Sequence, residues 1–215
     1  FAPADADVVT FLPRCPEVAA RSYAEKTGLP FKPLFYKMRG ERSFQGSTAS
    51  ERRKSIGENL HLLPGLRPQL QGKTVVMIDD SIVRGNASVR AQELLYNELG
   101  VKKAYLVSYT PPIGIVPEDG IPRGCMFGVD MPPDPPVGEE FVARGRTLAE
   151  IEEKMGMPVV YLSPENMLKA FEKSGIERDR LCTYCIGGCH PYEGRDNVEP
   201  EVQPQSDQLE LAMAK

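Results

Sequence analysis

The chain has 215 residues, of which 41% are hydrophobic, and it carries a formal net charge of −4 at pH 7. This length suits one domain with a short appendage. The negative charge argues against a dedicated nucleic-acid-binding protein, which would normally be basic. No run of about 18 apolar residues occurs, so the sequence predicts no membrane-spanning segment.

Strand and helix patterns alternate along the chain. Short runs of apolar and β-branched residues predict strands, and the helical patterns end at glycines such as Gly28 and Gly100. Strands that alternate with single helices through short connections form right-handed crossovers and a parallel sheet. The predicted fold class is therefore α/β, an open and mostly parallel sheet with flanking helices. In chain order, we predict strand 7–12, helix 16–28, strand 30–37, strand 74–78, helix 87–100, strand 103–109, helix 147–156, strand 159–162 and helix 164–175.

Three segments do not follow this alternation. Residues 38–62 are rich in Arg, Gly, Ser and Glu, and a long polar loop of this kind inside a domain is often functional. Residues 111–138 contain many prolines and glycines and are predicted to form an irregular excursion. Residues 191–215 are polar and acidic, which predicts a disordered tail. The chain is thus expected to hold one domain over residues 1–190, followed by this tail.

The segment VVMIDDSIVRGNAS, residues 75–88, carries the strongest functional signal. Asp79 and Asp80 follow a buried strand directly, and ligands of open α/β sheets bind beyond the carboxyl ends of the strands. The next residues lead into a helix amino terminus, where free N–H groups attract phosphate. Gly85 permits backbone shapes that a side chain would block, and Ser81 and Ser88 add hydroxyl groups. This arrangement predicts a site for a ribose 5-phosphate with Mg²⁺.

The aspartate pair has two other interpretations. The carboxylates could simply cap a turn after the strand, but two adjacent aspartates after this apolar lead make that interpretation the weaker one. They could also belong to the phosphoryl-transfer site of a phosphatase or receiver domain. Such folds need further carboxylates at fixed positions, and the sequence offers none that is convincing.

Residues 75–88 resemble the phosphoribosyl pyrophosphate (PRPP) motif of type I phosphoribosyltransferases. The version with DDSIVRG is similar to that of the glutamine PRPP amidotransferase family. The resemblance covers roughly residues 5–190. Four further segments resemble family segments in the same order: ADVVTFLP (6–13) before the pyrophosphate loop, RSFQGSTASERR (42–53) in the flexible loop, CMFGVDMP (125–132) and CTYC (182–185).

The resemblance implies a reaction at the anomeric carbon of ribose. Ammonia would displace pyrophosphate from PRPP to give 5-phosphoribosylamine, a step of de novo purine biosynthesis. Asp79 and Asp80 would bind the ribose hydroxyls and Mg²⁺, and Arg42 and Arg52 would close over the pyrophosphate as catalytic residues, although both could equally belong to a solvated charged loop. The substrate-binding residues implied after the aspartates are Ser81, Ile82, Val83, Arg84, Gly85, Asn86, Ala87 and Ser88.

The resemblance also implies partners and a compartment. PRPP would be the substrate, purine nucleotides would act as inhibitors, and a glutaminase domain or subunit would supply ammonia. A homo-oligomer in the cytoplasm is expected. Neither nucleic acid nor membrane is expected as a partner.

The chain departs from the family pattern in several places. The glutaminase half with its amino-terminal cysteine nucleophile has no counterpart, because the first cysteine is Cys15 in a strand-to-helix turn. We therefore expect a fragment or a free-standing synthase half that hydrolyses no glutamine. The family's P-D-S-G pyrophosphate loop reads Pro13-Arg14-Cys15-Pro16, where Arg14 supplies charge in place of flexibility. After the aspartates, Asn86-Ala87 replaces Thr-Thr, which removes two hydroxyl groups.

The five cysteines form a poor disulfide framework, because their number is odd and three of them lie within residues 182–189. Metal or cluster binding in a reducing cytosol is the favoured interpretation. Cys182-x-x-Cys185 brings two thiolates within reach of one metal. The resemblance implies that Cys125, Cys182 and Cys185 are three ligands of a [4Fe–4S] cluster, with Cys189 as a possible fourth. The alternative is a set of free thiols in a relative without a cluster.

Two functions from other classes stay open at the level of sequence. A non-catalytic PRPP- or nucleotide-binding regulatory protein would keep the aspartates and the phosphate turn while losing the pyrophosphate loop. A cluster-carrying subunit would serve as a structural partner of a separate glutaminase.

Overall fold

The computed structural model describes residues 2–37, 59–125, 127 and 131–189. Its strands are β1 (Val8–Phe11), β2 (Phe35–Lys37), β3 (Leu60–Leu62), β4 (Thr74–Asp79), β5 (Lys103–Ser108) and β6 (Val159–Tyr161). Its α-helices are α1 (Glu17–Thr27), α2 (Arg67–Leu70), α3 (Asn86–Glu93), α4 (Leu148–Met155) and α5 (Pro164–Lys173). A π-helical segment, Leu94–Leu99, continues α3, and 3₁₀ turns lie at Arg178–Arg180 and Tyr184–Ile186.

A four-stranded parallel sheet with the order β1-β4-β5-β6 lies at the centre of the fold. Strand β4 is buried along its whole length, because its two faces pack into different clusters. Val75 and Met77 face the larger cluster, which α3 and α4 cover. Val76 and Ile78 face the smaller cluster under α1. A sheet covered on both faces needs such a continuous apolar run, and the predicted α/β fold is confirmed.

The β2–β3 ribbon corrects the prediction in two places. Only Phe35–Lys37 of the predicted strand 30–37 forms a strand, and it pairs with β3 in an antiparallel ribbon outside the main sheet. Pro30 and Pro33 lack the N–H groups that a longer sheet strand needs. Leu60–Leu62 was predicted to lie in the polar loop, yet its two leucines flank His61 and pair with β2.

Of the three segments predicted to be irregular, only residues 111–138 lie mostly within the described part of the chain. The described residues of 111–138 form turns without helix or strand, as predicted. Residues 38–58 and the tail lie outside the described residues, so the division into a domain and a disordered tail stays a prediction. Every helix of the described ranges is too short or too polar to cross a bilayer.

Thr10 of β1 allows a test of how an unpaired buried hydroxyl affects the stability of the sheet. Its side chain is fully buried, and its hydroxyl has no hydrogen-bond partner among the described residues. An unsatisfied buried hydroxyl is destabilising, and valine replaces it with a methyl group of similar size. We expect Thr10→Val to raise the free energy of unfolding by about 1 kcal/mol in urea denaturation. Thr10→Ser, which keeps the hydroxyl and loses the methyl, should lower it; a destabilised valine variant would contradict this account.

Candidate functional site

A cleft of about 240 Å³, open to solvent, lies at the carboxyl end of β4. Three parts of the chain form its walls: the β1–α1 turn, the β2–β3 ribbon and the segment after β4. All ten substrate-binding residues predicted from the sequence line this cleft, so the structure brings them together at the predicted edge of the sheet. They are Asp79, Asp80, Ser81, Ile82, Val83, Arg84, Gly85, Asn86, Ala87 and Ser88.

Asp79 is the buried carboxylate of the site. It is the last residue of β4, and only 7% of it is exposed. The backbone N–H of Asp80 donates to its Oδ1 over 2.9 Å, and the Ser88 hydroxyl donates to its Oδ2 over 3.5 Å. Burial, followed by the neighbouring Asp80 carboxylate, raises the pKa of Asp79 well above its ordinary value. A cation or hydroxyl donor in the cleft would therefore favour the ionised form of Asp79.

The end of β5 supports the aspartate pair from the neighbouring strand. The Tyr109 N–H donates to the Asp79 carbonyl over 3.2 Å, and the Ser108 hydroxyl lies 3.4 Å from the Asp80 carbonyl. Burial, and then the charge of Asp80, raises the pKa of Tyr109. The charges of the two carboxylates thus act on the Tyr109 hydroxyl.

Gly85 shapes the turn between the aspartates and α3. Its φ of 79° is left-handed, which favours glycine. A Cβ at this position would lie 2.8 Å from the Met155 Sδ atom, so the turn also packs closely on α4. No side chain of the described residues caps the start of α3 through a hydrogen bond. Its first N–H groups are therefore free of side-chain caps and are suited to an anion.

Arg84 lines the cleft, but its guanidinium group contacts Glu139, which does not line it. Its Nε donates to the Glu139 carbonyl over 3.1 Å, and its Nη2 lies 3.3 Å from the Glu139 Oε2. The Ser88 hydroxyl, expected to face a phosphate, instead lies within reach of Asp79. Two polar side chains of the motif therefore contact other protein groups.

The sequence analysis missed two residues near the site. Lys37, the last residue of β2, lines the cleft, where burial lowers its pKa and the charge of Asp79 opposes that shift. Tyr109 follows the last residue of β5. Tyr109 lies at the carboxyl end of a strand of the parallel sheet, so the rule that located Asp79 offered a signal for it. Lys37 lies in the ribbon outside that sheet, where the rule gives no signal. Arg14, the substitute charge in the pyrophosphate loop, also lines the cleft, next to Cys15.

The predicted catalytic residues Arg42 and Arg52 lie outside the described residues. Their closure over pyrophosphate stays a prediction.

The cysteines are all free thiols. Burial, and then the charges of Cys125 and Cys182, raises the pKa of Cys185, so these three lie near one another. Cys189 is exposed. Among the described residues, however, no three His, Cys, Asp or Glu side chains are arranged to hold a metal ion. The thiols suit iron chemically, and the cluster stays a prediction.

The excursion does fold back beside the cysteine segment, as a shared site would require. The Gly114 N–H donates to the Cys185 carbonyl over 2.8 Å. Ile113, Phe141 and Ile186 pack in one buried cluster, against which Cys185 also lies. Residues distant in sequence are thus held together by apolar packing as well as by hydrogen bonds.

The parallel sheet thus carries the aspartate pair at its carboxyl edge and the glycine turn before α3. No family model matches the chain. The amidophosphoribosyltransferase of Bacillus subtilis is 32% identical over 203 residues, which are 93% of this chain and 39% of that protein. The amidophosphoribosyltransferase of Methanocaldococcus jannaschii is 33% identical over 195 residues, which are 89% of this chain and 36% of that protein.

A solved structure agrees with these relatives. Glutamine PRPP amidotransferase from B. subtilis, complexed with ADP and GMP, matches with a TM-score of 0.66 and 31% identity. The match covers 87% of this chain and 38% of that one. The chain belongs to the amidophosphoribosyltransferase family. It spans about two fifths of the length of these relatives.

Proposed function

We propose that this chain is the synthase part of an amidophosphoribosyltransferase, which displaces pyrophosphate from PRPP with ammonia to form 5-phosphoribosylamine. The observation that carries the proposal is the joint placement of Asp79, Asp80 and the uncapped start of α3 in one cleft. The carboxylates are hydrogen-bond acceptors for the ribose hydroxyls, and the helix N–H groups are donors for the 5′-phosphate. Together they would bind the two ends of a ribose 5-phosphate.

The reaction forms a C–N bond at the anomeric carbon and breaks the C–O bond to pyrophosphate. The protein's main contribution is to position PRPP and to stabilise the departing charge. Arg14 and Lys37 also line the cleft and place positive charge there, which suits a leaving pyrophosphate. Asp79 and Asp80 are oxygen ligands of the type that Mg²⁺ prefers, and a bound Mg²⁺ would neutralise phosphate charge. Arg42 and Arg52 are proposed to complete the cationic contacts.

The proposal extends to ligands and partners. Purine nucleotides are proposed to bind as inhibitors, because the similar B. subtilis structure is a complex with ADP and GMP. The relatives are much longer than this chain, so we propose that a glutaminase domain or subunit supplies the ammonia. We also propose a homo-oligomer, and a cytoplasmic location, which suits five free thiols.

Ammonia-dependent turnover tests the proposed reaction. We expect this chain alone to release pyrophosphate from PRPP–Mg²⁺ slowly with ammonia and not at all with glutamine. The altered loop at Arg14 and Cys15 explains the weak activity, and the lack of a matched glutaminase portion explains the second result. Pyrophosphate release can be followed with a coupled assay, with chain-free reactions as the control. Robust glutamine-dependent turnover by this polypeptide alone would contradict the proposal.

A second candidate is a regulatory protein that binds PRPP or a nucleotide without catalysis. It is favoured by the β1–α1 turn, where Arg14 and Cys15 occupy the cleft wall and no glycine provides flexible backbone. A related possibility is a cluster-carrying subunit that partners a separate glutaminase. Tight PRPP binding without ammonia-dependent turnover would favour this second class.

We also propose a [4Fe–4S] cluster at Cys125, Cys182 and Cys185, with Cys189 or a residue outside the described ranges as the remaining ligand. Protein purified without oxygen should be brown and hold about four irons. Cys185→Ser should remove the colour and expose residues beyond Gly175 to protease, because ligation would supply folding free energy to this segment. Residues 75–109 should stay resistant. Cys15→Ser is the control, since Cys15 lies in the PRPP cleft. Colourless wild type, without iron or zinc and as resistant as Cys185→Ser, would contradict the cluster.

A further inference from the structure

A short segment packs behind the residues that follow the aspartate pair. We call residues 81–88 the phosphate turn and residues 139–144 the strap. The Val142 N–H of the strap donates to the Val83 carbonyl of the turn over 2.8 Å. Val83 also packs with Phe141 of the strap in a buried cluster. The strap therefore packs on the turn, and none of its residues lines the cleft.

The only cation of the phosphate turn is bound to this strap. Arg84 makes two contacts with Glu139, one to its carbonyl and one to its carboxylate. Their side chains are only 12% and 10% exposed, respectively. Glu139 is not among the residues that line the cleft. The ion pair thus lies in the wall of the site, shielded from most solvent.

Breaking this ion pair would carry a large penalty. If Arg84 turned towards a bound phosphate, the Glu139 carboxylate would be left in a mostly buried position without this cation. Separating the two members of a mostly buried ion pair is unfavourable, because each charge loses a close partner where water has little access. The planar guanidinium group also fixes the direction of its donors. The arrangement therefore favours a fixed Arg84 over one that moves to a ligand.

We propose that Arg84 and Glu139 are a positioning pair that holds the phosphate turn in its binding shape, and that Arg84 is not a phosphate ligand. The pair acts through the backbone of the turn, whose N–H groups would meet the 5′-phosphate. This inference rests on the proposed function, because it concerns the same ribose phosphate site. If Arg84 only positions the turn, the loss of Glu139 should also weaken phosphate binding. If Arg84 binds the phosphate directly, it should not.

The test compares Arg84→Gln, Glu139→Gln and the double variant with the wild-type chain. Two probes are titrated by calorimetry with Mg²⁺: ribose 5-phosphate, which would use the turn, and pyrophosphate, which would not. We expect each single variant to bind ribose 5-phosphate about tenfold more weakly, as is usual when a residue that orients a binding group is lost. The double variant should lose no more than either single variant. Pyrophosphate affinity should be unchanged in all three.

Glu140→Gln is the matched control. Glu140 is an exposed neighbour in the strap whose carboxylate accepts from the Gly138 N–H. It should bind both probes as the wild type does. If Glu139→Gln bound ribose 5-phosphate as well as the wild type while Arg84→Gln did not, Arg84 would be a direct ligand and the proposal would be overturned.

Hydrogen exchange separates failure of this inference from failure of the proposed function. In the unliganded chain, Glu139→Gln should speed exchange at the amides of residues 82–86, because the turn loses its fixed support. Unchanged exchange in that variant would overturn the positioning pair. If exchange increased while the wild type bound neither probe, the proposed function would fail and the pair would still be supported.

Discussion

The double variant Asp79→Asn, Asp80→Asn is expected to lose PRPP–Mg²⁺ binding, with a dissociation constant raised more than about 100-fold. Asparagine keeps the shape of each side chain but removes the charge that would anchor Mg²⁺. It also replaces one acceptor oxygen on each residue with an amide donor facing the ribose hydroxyls. Calorimetric titration of the wild-type chain, expected to bind at micromolar to millimolar levels, provides the reference. Unchanged affinity of the folded variant for PRPP–Mg²⁺ would contradict the assignment of Asp79 and Asp80 to the binding site.

Stability measurements show whether the loss of binding reflects unfolding. Because burial raises the pKa of Asp79, its ionisation opposes folding. This penalty is absent below the ordinary pKa of 3.8 and grows as the pH rises towards the raised value. The unliganded double variant should therefore be at least as stable as the wild type at pH 7, and its advantage should shrink in acid. Asp5→Asn, which removes an exposed carboxylate before β1, should leave PRPP binding intact.

The parallel sheet could be predicted because local patterns and the global fold agree. The run from Val75 to Ile78 needs two apolar layers, and the helices on both sides supply them. The β2–β3 ribbon could not be predicted in the same way. Its strands are three residues long and are separated by a polar segment, so neither shows enough alternation to fix a partner. Pairing between distant short strands depends on tertiary packing, which a local pattern does not encode.

In the candidate site, too, residues close in sequence could be predicted, and residues brought together by tertiary packing could not. Asp79 and the phosphate turn are adjacent in sequence, so one segment revealed their shared position. Lys37 reaches the cleft only through the ribbon, and Glu139 reaches Arg84 across 55 positions of sequence. Contacts of that kind arise from the path of the irregular excursion, which contains no periodic pattern to interpret. The sequence therefore located the candidate ligand-facing residues better than the residues that support them.

Gly114 is a position in the excursion that leaves no room for a side chain. Its φ is 75°, and an added Cβ would fall on the ring of Phe141, which is almost fully buried. Its N–H donates to the Cys185 carbonyl, and its own carbonyl accepts from the Arg144 Nε over 2.8 Å. One residue thus joins the strap, the excursion and the cysteine segment. Moving Phe141 would disturb the cluster that also contains Val83 of the phosphate turn.

We expect Gly114→Ala to lower the free energy of unfolding by about 2–5 kcal/mol, from left-handed strain of about 1–2 kcal/mol and overpacking of about 1–3 kcal/mol. Gly120→Ala is the matched control, because Gly120 has a φ of 73° in the same excursion but open space around an added Cβ. That control should lose only the strain contribution. The difference in urea denaturation between the two variants therefore measures the contact with Phe141. The Gly114 variant should also bind ribose 5-phosphate more weakly and be cut by protease within residues 111–125. Equal stability of the two alanine variants would show that Phe141 moves aside without cost and that the excursion does not support the site.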